Sequence, residues 1–195
     1  MTRRNPSGAA VLQPAITEAI VEAVLDEMAE FGYARLSMEA VAKRAGVSKS
    51  ALYRRWSSKQ QMALAVLADF SVGQAAAPDT GSLRGDVRQT LEAVTRWLSH
   101  PRFSRILPDL IAEMARTPEL SELVESMIGR PRREHGAAIL RRAIDRGELA
   151  PDTDIDIALD LIAAPVYWRL TIRDGEAEPG YLDKLTDVLM RALGA

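Results

Sequence analysis

The segment from Leu36 to Lys59, LSMEAVAKRAGVSKSALYRRWSSK, constrains the fold more than any other part of the chain. Ser37 stands where a hydroxyl can accept an orphan amide at a helix start. Leu36 and Val41 flank it at the hydrophobic-staple positions. Gly46 breaks the chain, and Ser48 then opens a second short helix whose staple is Val47 with Leu52. Ser58 and Gln61 make a capping box for a further helix through Leu64, Leu67 and Phe70. From Lys43 to Lys59 every charged residue is basic: Lys43, Arg44, Lys49, Arg54, Arg55 and Lys59. Two short capped helices around a glycine turn, with one cationic face, have the physical form of a helix-turn-helix DNA reader.

The rest of the chain follows helical spacing, with no period-two alternation and no Asn-Gly hairpin signal. From Ile16, the residues Ile20, Ala23, Val24, Met28 and Phe31 fall on one face, and Gly32 follows as a C-terminal stop. The small-residue stretch SVGQAAAPDTGS at 71–82 reads as a hinge. Beyond it, helical patterns occupy 83–99, 102–115, 118–146, 153–173 and 179–193. Pro131 predicts a kink or two helices within 118–146, and Pro165 predicts a kink in the fourth of these patterns. The expected architecture is all-α, with a disordered basic arm over 1–12, a first domain over 13–72 and a second over 82–195. Arg3 and Arg4 either reach into a minor groove or belong to a merely disordered start.

Composition narrows the function classes. The net charge is -2, so a nucleic-acid reading rests on local clustering. There is no cysteine, and His100 and His135 are far apart without metal-ligand spacing. No phosphate loop, GxSxG elbow or histidine–carboxylate pairing appears, so no catalytic residue, metal or cofactor is expected. The apolar run Leu161–Trp168 falls far short of the ~20 residues that span a bilayer. The start, MTRRNPSG, lacks the apolar stretch of a secretory signal, so a cytoplasmic protein is expected.

On a helical wheel Lys49, Ser50, Tyr53 and Arg54 share one arc, while Ala51 and Leu52 point the other way. That arc carries guanidinium, ammonium, hydroxyl and phenol groups, the chemistry that reads base edges and phosphates. Arg55 lies on the wrong side and is expected to snorkel. Ser37, Ser48 and Ser58 open helices whose N-termini favour phosphate, and Lys59 adds a charge in the first turn of the last of them. The competing reading is a solvated basic face above a core Leu-Tyr pair.

This stretch resembles the TetR family of bacterial transcriptional regulators. The resemblance is carried by Gly32-Tyr33, Ser37, Ala45-Gly46-Val47-Ser48, Leu52-Tyr53-Arg54-Arg55-Trp56 and Ser58-Lys59, and covers about 16–70. Ser57 departs from the pattern, where proline is frequent. The resemblance implies a three-helix helix-turn-helix DNA-binding domain followed by a C-terminal helical ligand-binding and dimerisation domain. It implies DNA contacts from Ser37, Ser48, Lys49, Ser50, Tyr53, Arg54 and Lys59. It also implies an apolar effector pocket, for which Trp97, Phe103, Leu107, Met114, Met127, Tyr167 and Trp168 are candidates; side chains of these types at helical spacing are otherwise core.

The pattern at 153–173 is apolar around nearly its whole circumference, and the last helix has a stripe at Tyr181, Leu185, Val188, Leu189 and Ala192. A partner surface accounts for both, as does a homodimer through the last two helices, which the resemblance implies; a monomeric core is the alternative. Two reading heads about 34–36 Å apart would then engage successive major grooves of a palindromic operator. The expected function is a repressor released from its operator by a small-molecule effector. Two rivals stand beside it: a DNA-binding regulator or nucleoid protein without effector, controlled by a protein partner, and a small helical enzyme, which the missing motifs disfavour.

Overall fold

Helix α1 (Pro14–Arg35) runs along the first three-helix unit and buries Ile20, Val24 and Met28. Its regularity ends at Gly32, whose φ of 79° and ψ of 166° fall in a region that essentially only glycine occupies. A Cβ at this position would lie 2.9 Å from a carboxylate oxygen of Asp109. The other carboxylate oxygen of Asp109 accepts the Tyr33 N–H at 2.7 Å. The glycine stop read from the sequence is therefore also the point where a distant helix grips α1.

The computed structural model describes residues 14–72 and 77–195. The basic arm at 1–12, Arg3 and Arg4 included, lies outside the described residues, as do 73–76 of the hinge. Helices α2 (Met38–Arg44), α3 (Lys49–Tyr53) and α4 (Lys59–Val72) follow α1. Val41, Leu52, Met62 and Leu67 meet the buried face of α1 and form the core of this part.

The second part holds α5 (Leu83–Leu98), α6 (Phe103–Met114), α7 (Pro118–Val124), α8 (Arg130–Asp145), α9 (Ile155–Tyr167) and α10 (Tyr181–Leu193). Single π-helical turns at Glu125–Gly129 and Trp168–Ile172 join α7 to α8 and extend α9. No strand occurs among the described residues. The 118–146 pattern thus resolves into two helices joined by a π turn. Pro131 sits in the first turn of α8, directly after the π turn. Pro165 is inside α9, and the π turn begins three residues later, closed by the Arg173 N–H on the Trp168 carbonyl at 3.0 Å. A third proline, Pro108, lies inside α6.

The two parts share one contiguous buried core, with α1 laid against α6. Arg102 ties this contact at its edge by pairing with Glu22 at 2.6 Å and Asp26 at 2.8 Å. The chain beyond the hinge is pinned by a buried carboxylate. Asp86, with no exposed surface, accepts the Thr80 N–H at 2.7 Å and its hydroxyl at 2.8 Å. Arg142 and Arg146 of the α8 end face it at 3.7 Å. Glu148 completes the junction by accepting the Leu83 N–H and pairing with Arg146.

Gly32→Ala is expected to cost about 2 kcal/mol, since it strains φ and pushes on Asp109; urea denaturation measures it. The Leu83 N–H, and then Arg146, hold the Glu148 carboxyl below the usual glutamate range. A lowered pKa contributes stability that is present above the unfolded value of about 4.3 and is lost as pH falls through the folded one. The melting temperature should therefore stay level from neutral pH to about 5 and drop below that. Glu148→Gln should make that acid drop shallower.

Candidate nucleic-acid interface

Helix α3 has five residues, too few to be stable by itself. Local chemistry and burial hold it. The Ser48 hydroxyl accepts the Ala51 N–H at 3.2 Å, and Leu52 is wholly buried. The Ser37 hydroxyl caps α2 in the same way, accepting the Ala40 N–H at 3.1 Å, with Leu36 and Val41 both buried. The Ser58 hydroxyl accepts the Gln61 N–H at 3.1 Å. The reciprocal half of this last box is shifted by one residue, because the Gln61 side-chain Oε1 accepts the Ser57 N–H at 2.7 Å. A proline at 57 would lack that N–H, so the departure from the family pattern supplies a cap bond.

Helix α2 is anchored to α1 by one arginine. Arg44 pairs through Nε with Glu27 at 2.7 Å and through both terminal nitrogens with Glu30 at 2.8 and 2.7 Å. The bond to Glu30 is the main reason the Arg44 guanidinium titrates above its ordinary value, and Glu30 in turn below its own. Arg44 is thereby removed from the outward-facing charge. Arg55 donates to the Thr17 hydroxyl at 3.1 Å, a contact on the inner side of α3.

Ser50, Tyr53 and Arg54 face solvent, with Tyr53 56% exposed. Lys49 is also outward but pairs with Glu39 of α2 at 2.7 Å, which holds the Glu39 carboxyl below its usual range. The Ser50 hydroxyl lies 2.9 Å from that of Ser48. Lys59 is half-buried and turns toward the end of α1, donating to the carbonyls of Ala34 at 3.0 Å and Tyr33 at 3.4 Å. Its ammonium also stands 5.2 Å from the centre of the Tyr33 ring, whose phenol burial pushes upward. The structure thus joins Ser48 to Ser50 and Lys49 to Glu39 of α2, leaves Tyr53 and Arg54 exposed on and just after the same short helix, keeps Ser37 at the start of α2, and directs Lys59 at backbone.

Farther along, two of the aromatic candidates, Trp97 and Phe103, cluster with Phe70 and His100. Phe103 is buried and stacks on Trp97 with ring centres 4.0 Å apart, and Phe70 bridges Phe103 and His100. Leu107, Met114, Met127 and Tyr167 are half-buried against the core, while Trp168 is 58% exposed on the outer face of the helix pair. Two adjoining cavities lie elsewhere. One of about 500 Å³ opens between α5 and α8, and one of about 340 Å³ adjoins it toward α9. Thr90, Val94, Arg132, Gly136 and Ile139 border both. Trp97 lines only a smaller space of about 270 Å³ with Phe70 and His100. Choosing aromatics and methionines missed the cavity walls because those side chains pack as core. A usable signal existed: Arg132 stands in register with Gly136 and Ile139 on the apolar side of α8. Gly136 admits α9, since a Cβ there would lie 2.5 Å from a Leu159 methyl.

Residues 20–66 match the family described as bacterial regulatory proteins, tetR family, and residues 77–189 match the tetracyclin repressor-like C-terminal domain. The chain belongs to the TetR family. It is 32% identical over 177 residues to a DNA-binding transcriptional repressor TetR of Mycobacteroides abscessus, spanning 90% of this chain and 92% of that one. It is 29% identical over 175 residues to an uncharacterised HTH-type transcriptional regulator, YdeS, of Bacillus subtilis, spanning 90% and 86%. The solved TetR family transcription regulator SCO0332 superposes with a TM-score of 0.72 at 31% identity, over 90% of this chain and 97% of that one. GusR of Salmonella enterica, at 20% identity and a TM-score of 0.76, shares the fold. This TetR-family chain is a helix-turn-helix transcriptional regulator, a DNA-binding protein rather than an enzyme. Among its described residues no helix is long and apolar enough to cross a membrane.

Ser48→Ala removes the cap of the shortest helix and should cost about 1 kcal/mol. Chemical denaturation measures the loss, and amide exchange should quicken first at Ala51 and Leu52.

Proposed function

We propose that this regulator is a homodimeric repressor that grips a palindromic operator and lets go when a small molecule enters its C-terminal helices. The observation that carries the reading is the outward arc of α3, where Ser50, Tyr53 and Arg54 are held exposed by a helix whose other side is locked in the core. Arg54 suits a guanine edge or a phosphate, Ser50 and Tyr53 supply hydroxyls, and Lys49 exchanges Glu39 for a phosphate. The Ser37 and Ser48 ends of α2 and α3, and the first turn of α4 with Lys59, supply amides and charge for the DNA backbone.

Dimerisation is supported by the apolar residues left outside. Ile157 is 59% exposed, Leu161 39%, Trp168 58% and Ile172 52% on α9 and its π extension, and Val188 is 50% exposed on α10. Along α9 they recur on one side at helical spacing, and a second copy of the same pair of helices would cover them. The repressor reading draws on the Mycobacteroides abscessus relative, a DNA-binding transcriptional repressor. The effector reading draws on the cavity between α5 and α8, which a regulator controlled only by a protein partner would not need. Such a protein works in the cytoplasm, on chromosomal DNA.

The test is to sequence genomic fragments retained by the purified protein and then titrate a recovered fragment by fluorescence anisotropy. Tyr53→Ala and Arg54→Ala should each weaken binding about tenfold or more, with helicity unchanged, since a specific base contact is worth about 1–3 kcal/mol. With about four phosphates neutralised per subunit, log affinity against log salt should have a slope of about −7. Unchanged binding by both variants would overturn the assignment of the reading helix. A Trp168→Asp, Ile172→Asp double variant should sediment as a monomer and lose the operator.

A further inference from the structure

The wall between α5 and α8 carries two arginines that no carboxylate pairs among the described residues. Arg132 is half-buried where the two adjoining cavities meet, and Arg96 lines the one of about 500 Å³. Among the described residues neither has a carboxylate within ion-pair distance, whereas Arg133, the next residue in the chain, pairs with both Asp156 and Asp160 at 2.8 Å. Two of the three carboxylates bordering the same space are paired with other arginines. Glu92 pairs with Arg88 at 2.7 Å and Asp160 with Arg133, while Glu125, lying over Gly129, borders the second cavity with no cation partner among the described residues.

Arg132 has few partners for a buried guanidinium. One terminal nitrogen donates to the Ser71 carbonyl at 2.9 Å, and the group stacks over the Trp97 ring at 4.1 Å. A guanidinium has five N–H donors, and an uncompensated cation away from water is costly. Burial pulls this one below its ordinary titration range. The planar fork suits two-pronged pairing with a carboxylate or a phosphate. Beyond it the space turns apolar, with Val87, Val94, Ile139, Leu159, Ile162 and Ala163 around it.

We propose that this cavity takes an amphipathic anion, its carboxylate or phosphate head held by Arg132 with Arg96 beside it and its apolar body lying toward α9. The inference rests on the effector reading and gives that effector its chemical class. It also names the point of communication. Ser71 closes the last turn of α4, the helix that leads to the reading head, and Arg132 is bonded to its carbonyl. An anion that draws Arg132 to itself loosens that bond and so the seat of α4.

Isothermal titration with four probes of one chain length, at submicellar concentrations, tests the class: decanoate, decyl phosphate, decanol and decyltrimethylammonium. Decanoate or decyl phosphate should bind at least about tenfold tighter than decanol, and the cation should not compete; which of the two anions binds tighter distinguishes the two head groups. Arg132→Met should erase the preference for anions while leaving decanol binding. Arg96→Met, at an exposed position that leaves the fold intact, should weaken the anion severalfold. Equal or tighter binding of decanol or the cation, no binding of either anion, or unchanged anion affinity in both variants would overturn the proposal. Operator release is read separately by anisotropy. Anion binding without release keeps this site and sinks the effector reading, whereas release by decanol alone keeps the effector reading and sinks the anion site.

Discussion

A helix of five residues pays the full cost of nucleation and gains almost nothing from propagation, so α3 exists only because its neighbours hold it. Leu52 is its single deep anchor, the Ser48 hydroxyl satisfies the free Ala51 amide, and the turn through Gly46 sets it against α2. Helix α2 is itself only seven residues long and leans on α1 through the Arg44 pairs with Glu27 and Glu30. The outward arc of Ser50, Tyr53 and Arg54 is therefore presented by a rigid unit assembled from elements that would be unfolded alone. Its precision comes from burial and capping.

The same unit is tied to the C-terminal helices at two places. Asp109 of α6 holds the Tyr33 amide next to Gly32, and Arg102 at the start of α6 holds Glu22 and Asp26 on the side of α1. Arg132 of α8 holds the Ser71 carbonyl at the end of α4. Both joints use charged groups on backbone or on partly exposed partners, whereas the surrounding contacts are apolar. Charged joints of this kind are sensitive to a competing ion in a way that packed leucines are not. Of these groups, Arg132 also borders the cavity between α5 and α8.

The C-terminal helices divide their apolar residues between two tasks. Leu91, Ile106, Leu140 and Val166 fill the interior, whereas Ile157, Trp168, Ile172 and Val188 stay outside. The π turns at Glu125–Gly129 and Trp168–Ile172 are part of that division. Each adds a residue to one helical turn and so rotates the next stretch of helix about its axis. That rotation re-aims the side chains beyond the turn without ending the helix.

What the sequence by itself determined was everything that depends on neighbours within about one helical turn. The caps at Ser37, Ser48 and Ser58, the stop at Gly32, the inward Leu52 and the outward Tyr53 follow from cap chemistry and the 3.6-residue period. Tertiary structure alone decided the partners that lie far away along the chain. Asp109 is 76 residues from the Tyr33 amide it binds, and Arg132 is 61 from the Ser71 carbonyl. It also turned Lys59 onto the carbonyls that end α1, made Asp86 a buried anchor, and put Phe103 in the core rather than on a cavity wall. The physical reason is that a charge or a ring carries no local mark of what will face it. That is settled only when helices pack and every buried polar group must find its match.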